Sequence, residues 1–249
     1  MDKLSDKETL RYSRHLLLKE VGLEGQLALK AATVAVVGAG GLGSPALLYL
    51  AAAGIGTLIL IDDDAVELSN LQRQVLYKVN HLGQSKVTAA GKVLTSLNNQ
   101  IHIVTHNKKL DDNNAAELLN NVDVVLDCSD NFATRYSVSR FCIANKTPLI
   151  AGAALATKGQ LMGFDFRQNN SPCYGCVFAK SDSAPVVNCS NAGVISPLLG
   201  VIGSMQAQLT LNILLGHVEG NVFITFDALS LKQQHFKVVK DLNCKECGG

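Results

Sequence analysis

The chain has 249 residues, 47% of them apolar and only 17% charged, against a usual charged share of roughly 25%; a chain of this length buries about three quarters of its unfolded surface, which excludes a disordered scaffold. Twenty-two Lys and Arg against 21 Asp and Glu leave a net charge of +1, without the basic excess of a general nucleic-acid or membrane-surface binder. Seven cysteines, an odd number behind a charged start (Met1–Leu10) with no apolar run, point to a reducing, cytoplasmic setting and to metal or thiol chemistry.

Residues 1–30 read as N-terminal helices. Ser5 or Asp6 caps the amphipathic stretch Asp6–Leu18, with Glu8 in its first turn. Thr33–Val37 is a β-branched run stopped abruptly by glycines, the form of a buried parallel strand. Ser44 and Pro45 open a helix to Ala53, with proline in the first turn, where its missing N–H costs little. Thr57–Ile61 is a second apolar strand and ends at Asp62. Further strands are expected at Ile101–Thr105, Val122–Leu126 and Pro148–Ala151, separated by helical patterns at Lys86–Leu97, Asn114–Leu119 and Asn131–Ala144. This alternation predicts an α/β fold, a Rossmann-like, mostly parallel sheet with helices on both faces. Past Gly159 the grammar changes. Leu161–Phe166, Val222–Asp227 and Gln233–Val238 suit an antiparallel C-terminal extension around an uncharged helix at 193–215. That helix is apolar over too much of its surface for solvent, so it belongs in the core or against a partner; its polar residues and glycines argue against a membrane span. Ala179–Asn191 is the longest stretch without a pattern, as functional loops often are. One domain over 1–249 is expected, with a nucleotide-binding half at 31–155 and a second half at 156–249.

The glycines after the first strand, Gly38, Gly40, Gly41 and Gly43, form a complete G-x-G-x-x-G ahead of a helix. Such a loop lets backbone approach a phosphate at a helix N-terminus. Asp62 follows at the end of the second strand, where an acid accepts from ribose hydroxyls. The later strand ends carry Asp62-Asp63-Asp64, Ser69-Asn70-Leu71-Gln72-Arg73-Gln74, Lys86 and Asp127-Cys128-Ser129-Asp130-Asn131. Carboxylates and cations gathered there suit a nucleoside triphosphate with Mg²⁺, which takes one or two carboxylates plus phosphate oxygens. Arg73 and Lys86 would neutralise charge developing on the phosphates. The ordinary alternatives are solvated charges for Arg73 and Lys86, and a cap on the helix from Asn131 for Asp130. A nicotinamide oxidoreductase and a non-catalytic, zinc-stabilised binding protein stay open as rival classes.

Cys173-Tyr174-Gly175-Cys176 and Cys244-Lys245-Glu246-Cys247 are two C-x-x-C units separated by 67 residues. Two such units complete a closed tetrahedral Zn²⁺ site, which would tie the C-terminal tail to the middle of the chain. Cys128 and Cys142 sit in apolar runs and read as core. The six histidines show no ligand spacing.

Together these residues resemble the MoeB/ThiF/HesA family, bacterial relatives of the ubiquitin-activating enzymes. The likeness runs nearly end to end: Arg11-Tyr12-Ser13-Arg14, the glycine loop, Asp62-x-Asp64, Ser69–Gln74, Lys86, Asp127–Asn131, Thr134-Arg135 and both cysteine pairs. The Ser-Asn-Leu-x-Arg-Gln block is far more specific than the glycines. The resemblance implies a homodimer that uses ATP and Mg²⁺ to adenylate the C-terminal glycine of a small ubiquitin-like sulfur-carrier protein, of the MoaD or ThiS type. By the same likeness Asp62 holds the ribose; Asn70, Arg73 and Lys86 contact the phosphates; Asp130 holds Mg²⁺; and Arg14 reaches the γ-phosphate bound by the other subunit. The half at 156–249 would receive the carrier, and a separate protein would donate sulfur. Cys189 occupies the place of a family cysteine that in some members links to the carrier; a loop cysteine covering the carrier's tail is its plainer role. Departures from the family pattern are His15, Ser85 before Lys86, and Gly175 between the first cysteine pair.

Overall fold

In β1 (Thr33–Val37) Val34 and Val36 face one side of the sheet and Ala35 and Val37 the other, and none is more than 3% exposed. A strand buried on both faces needs a layer of helices on each side. The computed structural model, which describes residues 3–178, 193–218 and 221–248, has that arrangement. Among the described residues eight strands form one sheet in the order β3-β2-β1-β4-β5-β6-β7-β8. β1, β2 (Thr57–Ile61), β3 (His102–His106), β4 (Val124–Asp127) and β5 (Leu149–Leu155) are parallel. β6 (Lys158–Phe164), β7 (Val222–Asp227) and β8 (Lys232–His235) continue the sheet antiparallel. Strand order runs outward from β1 through β2 to β3, then restarts beside β1 with β4. That reversal makes a crevice at the strands' carboxyl ends.

Helices α4 (Gly43–Ala53), α5 (Lys86–Leu97) and α9 (Ser196–Leu214) cover one face, through Leu47, Leu50, Leu94, Leu198 and Ile202. Helices α6 (Ala115–Leu118), α7 (Phe132–Asn145) and α8 (Tyr174–Val177) cover the other. The uncharged helix expected at 193–215 is α9, and it lies in the core. Its Gln206 is fully buried and donates to the carbonyls of Asp127 (3.0 Å) and Ile150 (3.4 Å), joining β4 to β5 from above. No helix among the described residues is long and apolar enough to cross a membrane.

Two boundaries differ instructively from the sequence reading. The helix expected over Asp6–Leu18 is broken at Tyr12 into α1 (Asp6–Arg11) and α2 (Ser13–Leu16), because the Tyr12 ring turns inward over Gly54. Ser5 is the cap, its hydroxyl accepting from Glu8 N while Glu8 accepts from Ser5 N. β5 runs four residues beyond the expected Ala151, to Leu155, since it pairs with β6 as a hairpin. A third N-terminal helix, α3 (Gly22–Ala31), completes this region.

Asn98, fully buried, fastens the N-terminal helices to the sheet layer: its amide donates to Tyr12 Oη (2.9 Å) and to the Ala51 carbonyl (2.7 Å). Asn98→Ala removes both bonds and takes a buried partner from the Tyr12 hydroxyl, and is expected to cost about 1–3 kcal/mol. Calorimetry should show the melting temperature falling by roughly 2–4 °C for each kcal/mol; an unchanged melt would refute the fastening.

Candidate active site

The register sets the level of the site. Val37 pairs with both Ile61 and Asp127, so Gly38, Asp62 and Cys128 all leave the sheet at one height, at the β1/β4 crevice. Gly38 has φ +93°, and a Cβ there would lie 2.8 Å from the Cys128 carbonyl. A Cβ on Gly43 would collide with the Gly38 carbonyl, and one on Gly41 would meet Leu199 Cδ1 at 2.7 Å. Gly40 differs. The one atom near a Cβ there is Gln74 Nε2 at 3.6 Å, an ordinary van der Waals separation, so the protein leaves room at this glycine on the cleft wall. A backbone surface left bare for an approaching ligand has this form.

Around it the cleft is lined by Gly38, Gly40, Asp62, Asp64, Lys86 and Asp130, with Asn131 beside them. Asp62 accepts from Ala39 N (2.7 Å) and Asp64 N (2.9 Å), which fixes its carboxylate against the glycine loop. Burial pushes its pKa up, opposed by the nearby Lys86 charge and by the two amides. Lys86 opens α5 with its amide on the Asp64 carbonyl, and its ammonium meets Asp64 Oδ2 at 2.7 Å. The Lys86 side chain is only 7% exposed. Ser85 donates to Asn107 Oδ1 (3.1 Å), so a hydrogen bond to the loop after β3 steadies this turn.

Asn70, Arg73 and Gln74 come from a single turn of 3₁₀ helix (Leu68–Asn70) and the residues just after it. Asn70 Oδ1 accepts from Glu67 N (3.1 Å), and Arg73 donates to the Ser69 carbonyl (3.0 Å). Gln74 is 4% exposed, lies against Gly40 and has a buried, unpartnered Oε1. Gln74 thus packs against the glycine loop, and none of the three is among the residues that line the cleft itself. Asp130 is exposed at the cleft. The cap of α7 is Asn131, not Asp130, since Asn131 Oδ1 accepts from Thr134 N at 2.9 Å.

Arg14 is not brought to this cleft. It sits exposed on α2. Arg11 donates to the Leu97 carbonyl and Tyr12 accepts from Asn98, so α1 and α2 pack at the far end of α5. α5 has 12 residues, which puts that end about 18 Å from Lys86. Arg14 therefore does not reach its own chain's cleft. Cys189 lies outside the described residues.

Sequence reasoning also missed contributors. Tyr77 donates to the Ala39 carbonyl (2.7 Å) and pins the loop from beneath; burial raises its pKa. Lys108, Lys109 and Leu110, just past β3, form the opposite wall. None carries a motif. Only the strand-end rule would have drawn attention to them.

The four thiols of Cys173, Cys176, Cys244 and Cys247 all lie within 4.8 Å of one another. Neighbouring Sγ atoms are 3.8, 3.6 and 3.5 Å apart, too far for disulfides and close to the separation of about 3.8 Å that four sulfurs 2.3 Å from one ion would have. Cys128 and Cys142 are buried, and burial pushes both thiols up; Cys128 also edges the cleft.

The ThiF family model matches residues 12–248. The chain is 42% identical to the molybdopterin-synthase adenylyltransferase of Escherichia coli K12, over 100% of both chains. It is 43% identical to the adenylyltransferase and sulfurtransferase MOCS3 of Aedes aegypti, over 99% of this chain and 57% of that one. The chain thus spans little more than half the length of the MOCS3 relatives. Among solved structures, Escherichia coli MccB superposes with a TM-score of 0.84 at 22% identity, over 99% of this chain and 74% of that one. At that identity the likeness speaks to fold alone.

The glycine geometry separates folding from binding. Gly40→Ala should melt within about 0.5 kcal/mol of the parent yet bind Mg·ATP at least tenfold more weakly in a calorimetric titration. Gly43→Ala should be destabilised outright. Equal stability of the two variants, or undiminished binding by Gly40→Ala, would contradict this reading.

Proposed function

The chain belongs to the ThiF family, and on that footing we propose that it is an adenylyltransferase that uses ATP to activate the C-terminal glycine of a ubiquitin-like sulfur-carrier protein. The full-length likeness to the molybdopterin-synthase adenylyltransferase favours a carrier of the molybdopterin pathway. The observation that carries the chemistry is the content of the cleft: cations and carboxylates gathered around the bare face of Gly40, with no histidine among its lining residues. A carboxylate nucleophile is already ionised at neutral pH and needs no base. Its oxygen attacks the α-phosphorus, the bond to the β-phosphate oxygen breaks, and pyrophosphate leaves. Positioning and charge neutralisation are the protein's remaining tasks.

In this reading the glycine loop (Gly38, Gly40, Gly41, Gly43) cradles phosphate, Asp62 holds the ribose, and Asn70, Arg73 and Lys86 meet the phosphates. Gln74 and Asn131 shape the same pocket. Lys86 exchanges its bond to Asp64 for one to phosphate. Asp130, exposed and oxygen-bearing, suits Mg²⁺, which supplies charge neutralisation on the phosphates when bound. Beside Asp130 a second hollow, lined by Phe132, Ala153, Ala154, Tyr174 and Phe178, has the small-residue wall that a Gly-Gly tail fits. The distance of Arg14 from its own cleft supports a homodimer in which Arg14 serves the partner's nucleotide. The four-cysteine set suits a closed structural Zn²⁺, and its unbonded thiols suit the cytoplasm. Adenylation leaves an activated acyl group but no sulfur, so sulfur comes from a separate donor protein, and Cys189 is the thiol that would attack the adenylate, displacing AMP, or relay a persulfide.

Carrier-dependent exchange of pyrophosphate into ATP tests the activity, with MoaD-type and ThiS-type carriers offered in turn. Asp130→Ala should lower exchange by about 10²-fold or more without changing the melt, since its side chain is exposed; near-normal exchange would remove Asp130 from the site. Inactive Arg14→Ala and Lys86→Ala chains, mixed and allowed to swap subunits, should recover part of the activity, because each heterodimer holds one unmutated composite site. No recovery after verified exchange would place Arg14 outside the partner's site.

A further inference from the structure

Asp130 presents a difficulty that its own contacts do not solve. It is exposed and, among the described residues, no hydrogen bond or ion pair holds its carboxylate, although a metal-binding acid must keep its direction. Its direction is therefore set by the backbone on either side. On one side Asn131 is fixed as the cap of α7. On the other, Ser129 is gripped at every polar atom: Asp127 Oδ1 accepts from Ser129 N (2.9 Å) and Oγ (2.6 Å), and Arg135 Nη2 donates to the Ser129 carbonyl at 2.7 Å.

Arg135 lies one turn into α7 and is buried, which is unusual for a guanidinium. The same Nη2 also donates to the Gly152 carbonyl of β5 (3.0 Å), and Nη1 donates to Tyr174 Oη (3.4 Å), with the guanidinium carbon 5.8 Å from the Tyr174 ring centre. Tyr174 is the residue after Cys173 and is nearly fully buried. It packs edge-on against Tyr136 and beside Phe178 and Phe132. One further turn along α7, Arg140 pairs with Glu246, between the last two cysteines, at 3.2 Å. The helix that starts at the Asp130 loop is thus braced twice against the cysteine knuckle.

Resting on the adenylation reading above, we propose that Arg135 is a positioning residue for Asp130. It holds the Ser129 carbonyl so that the next residue presents its carboxylate to the divalent metal, and Tyr174 ties that hold to the cysteine knuckle. The chain of contacts runs from the knuckle through Tyr174 and Arg135 to Ser129 and Asp130. A planar guanidinium serves here where an ammonium does not, because three acceptors in different directions must be met at once.

The test uses Arg135→Lys, which keeps the charge but loses the fork, and Tyr174→Phe, which keeps the ring and loses only the hydroxyl. Mn²⁺ is the probe ion, titrated into the full chain with saturating ATP and no carrier, with free Mn²⁺ read by electron paramagnetic resonance. Both variants should retain one zinc per chain by metal analysis and the parent's affinity for ATP without divalent metal. Both should bind Mn²⁺ about two- to tenfold more weakly, the worth of a lost hydrogen bond. A general structural defect would lower both affinities together, so the split between them is diagnostic. Parental Mn²⁺ affinity in either folded variant overturns the proposal; should Arg135→Lys not fold, Tyr174→Phe decides alone. Because no carrier enters the measurement, failure of carrier adenylation leaves it standing. Absence of Mn·ATP binding by the parent would instead overturn the functional reading.

Discussion

The closeness of two strand ends governs the rest of the molecule. Gly38, leaving β1, lies so near the Cys128 carbonyl leaving β4 that a single Cβ would be 2.8 Å from it. Any side chain there would wedge β1 and β4 apart at the topological switch point. Several buried polar groups work to keep this seam closed. Gln206 reaches down from α9 to the Asp127 and Ile150 carbonyls, and Asp127 folds back on Ser129. Tyr77 holds Ala39 from the other direction. A cleft walled by backbone fixed in this way presents amide groups in a set geometry before any ligand arrives, which lowers the reorganisation that catalysis would otherwise require.

Charge is distributed around that seam by depth. Asp127 is fully buried, keeps one carboxylate oxygen without a partner, and has its pKa raised by burial. Asp62 is intermediate, with two amides on it. Asp64 and Asp130 stand in solvent. Desolvation disfavours the charged form most at the deepest position. The acids open to a hydrated cation are the outer ones, and the inner ones serve to hold backbone. Lys86 bridges the two zones, its stem buried and its ammonium on Asp64.

Much of this was legible in the sequence because it is local. The β-branched runs, the glycine loop and Asp62 depend on neighbours in the chain, and the register that aligns Val37 with Ile61 and Asp127 follows once the strands are parallel. The C-x-x-C pairs were legible for the same reason, since spacing alone brings two thiols together. What stayed hidden depends on long-range packing. The break at Tyr12 arises from a glycine 42 residues later, as Gly54 leaves room for the ring. Arg135 carries no local mark of burial, and its acceptors come from Ser129, Gly152 and Tyr174, on three different segments. Propensity could assign Asp130 or Asn131 as the cap of α7, and only geometry chose Asn131.

The C-terminal tail has little besides its cysteines to hold it. β8 is exposed along its whole length, and Leu229, Leu231, Val239 and Leu242 are 75%, 73%, 67% and 80% exposed. A segment that buries so little apolar surface has almost no hydrophobic reason to return to the body of the protein. Yet Cys244 is buried beside Cys173, in the same apolar cluster as Phe164, Tyr174 and Tyr136. The thiol cluster therefore supplies the attachment that packing does not, and it does so on the face of the sheet that carries α7. Because α7 begins at the nucleotide cleft and leans on the knuckle through Tyr136 and Arg140, fastening the tail also stiffens the helix whose first turn shapes the site. A purely hydrophobic tail could cover the same face. It would not offer the Glu246 carboxylate that meets Arg140.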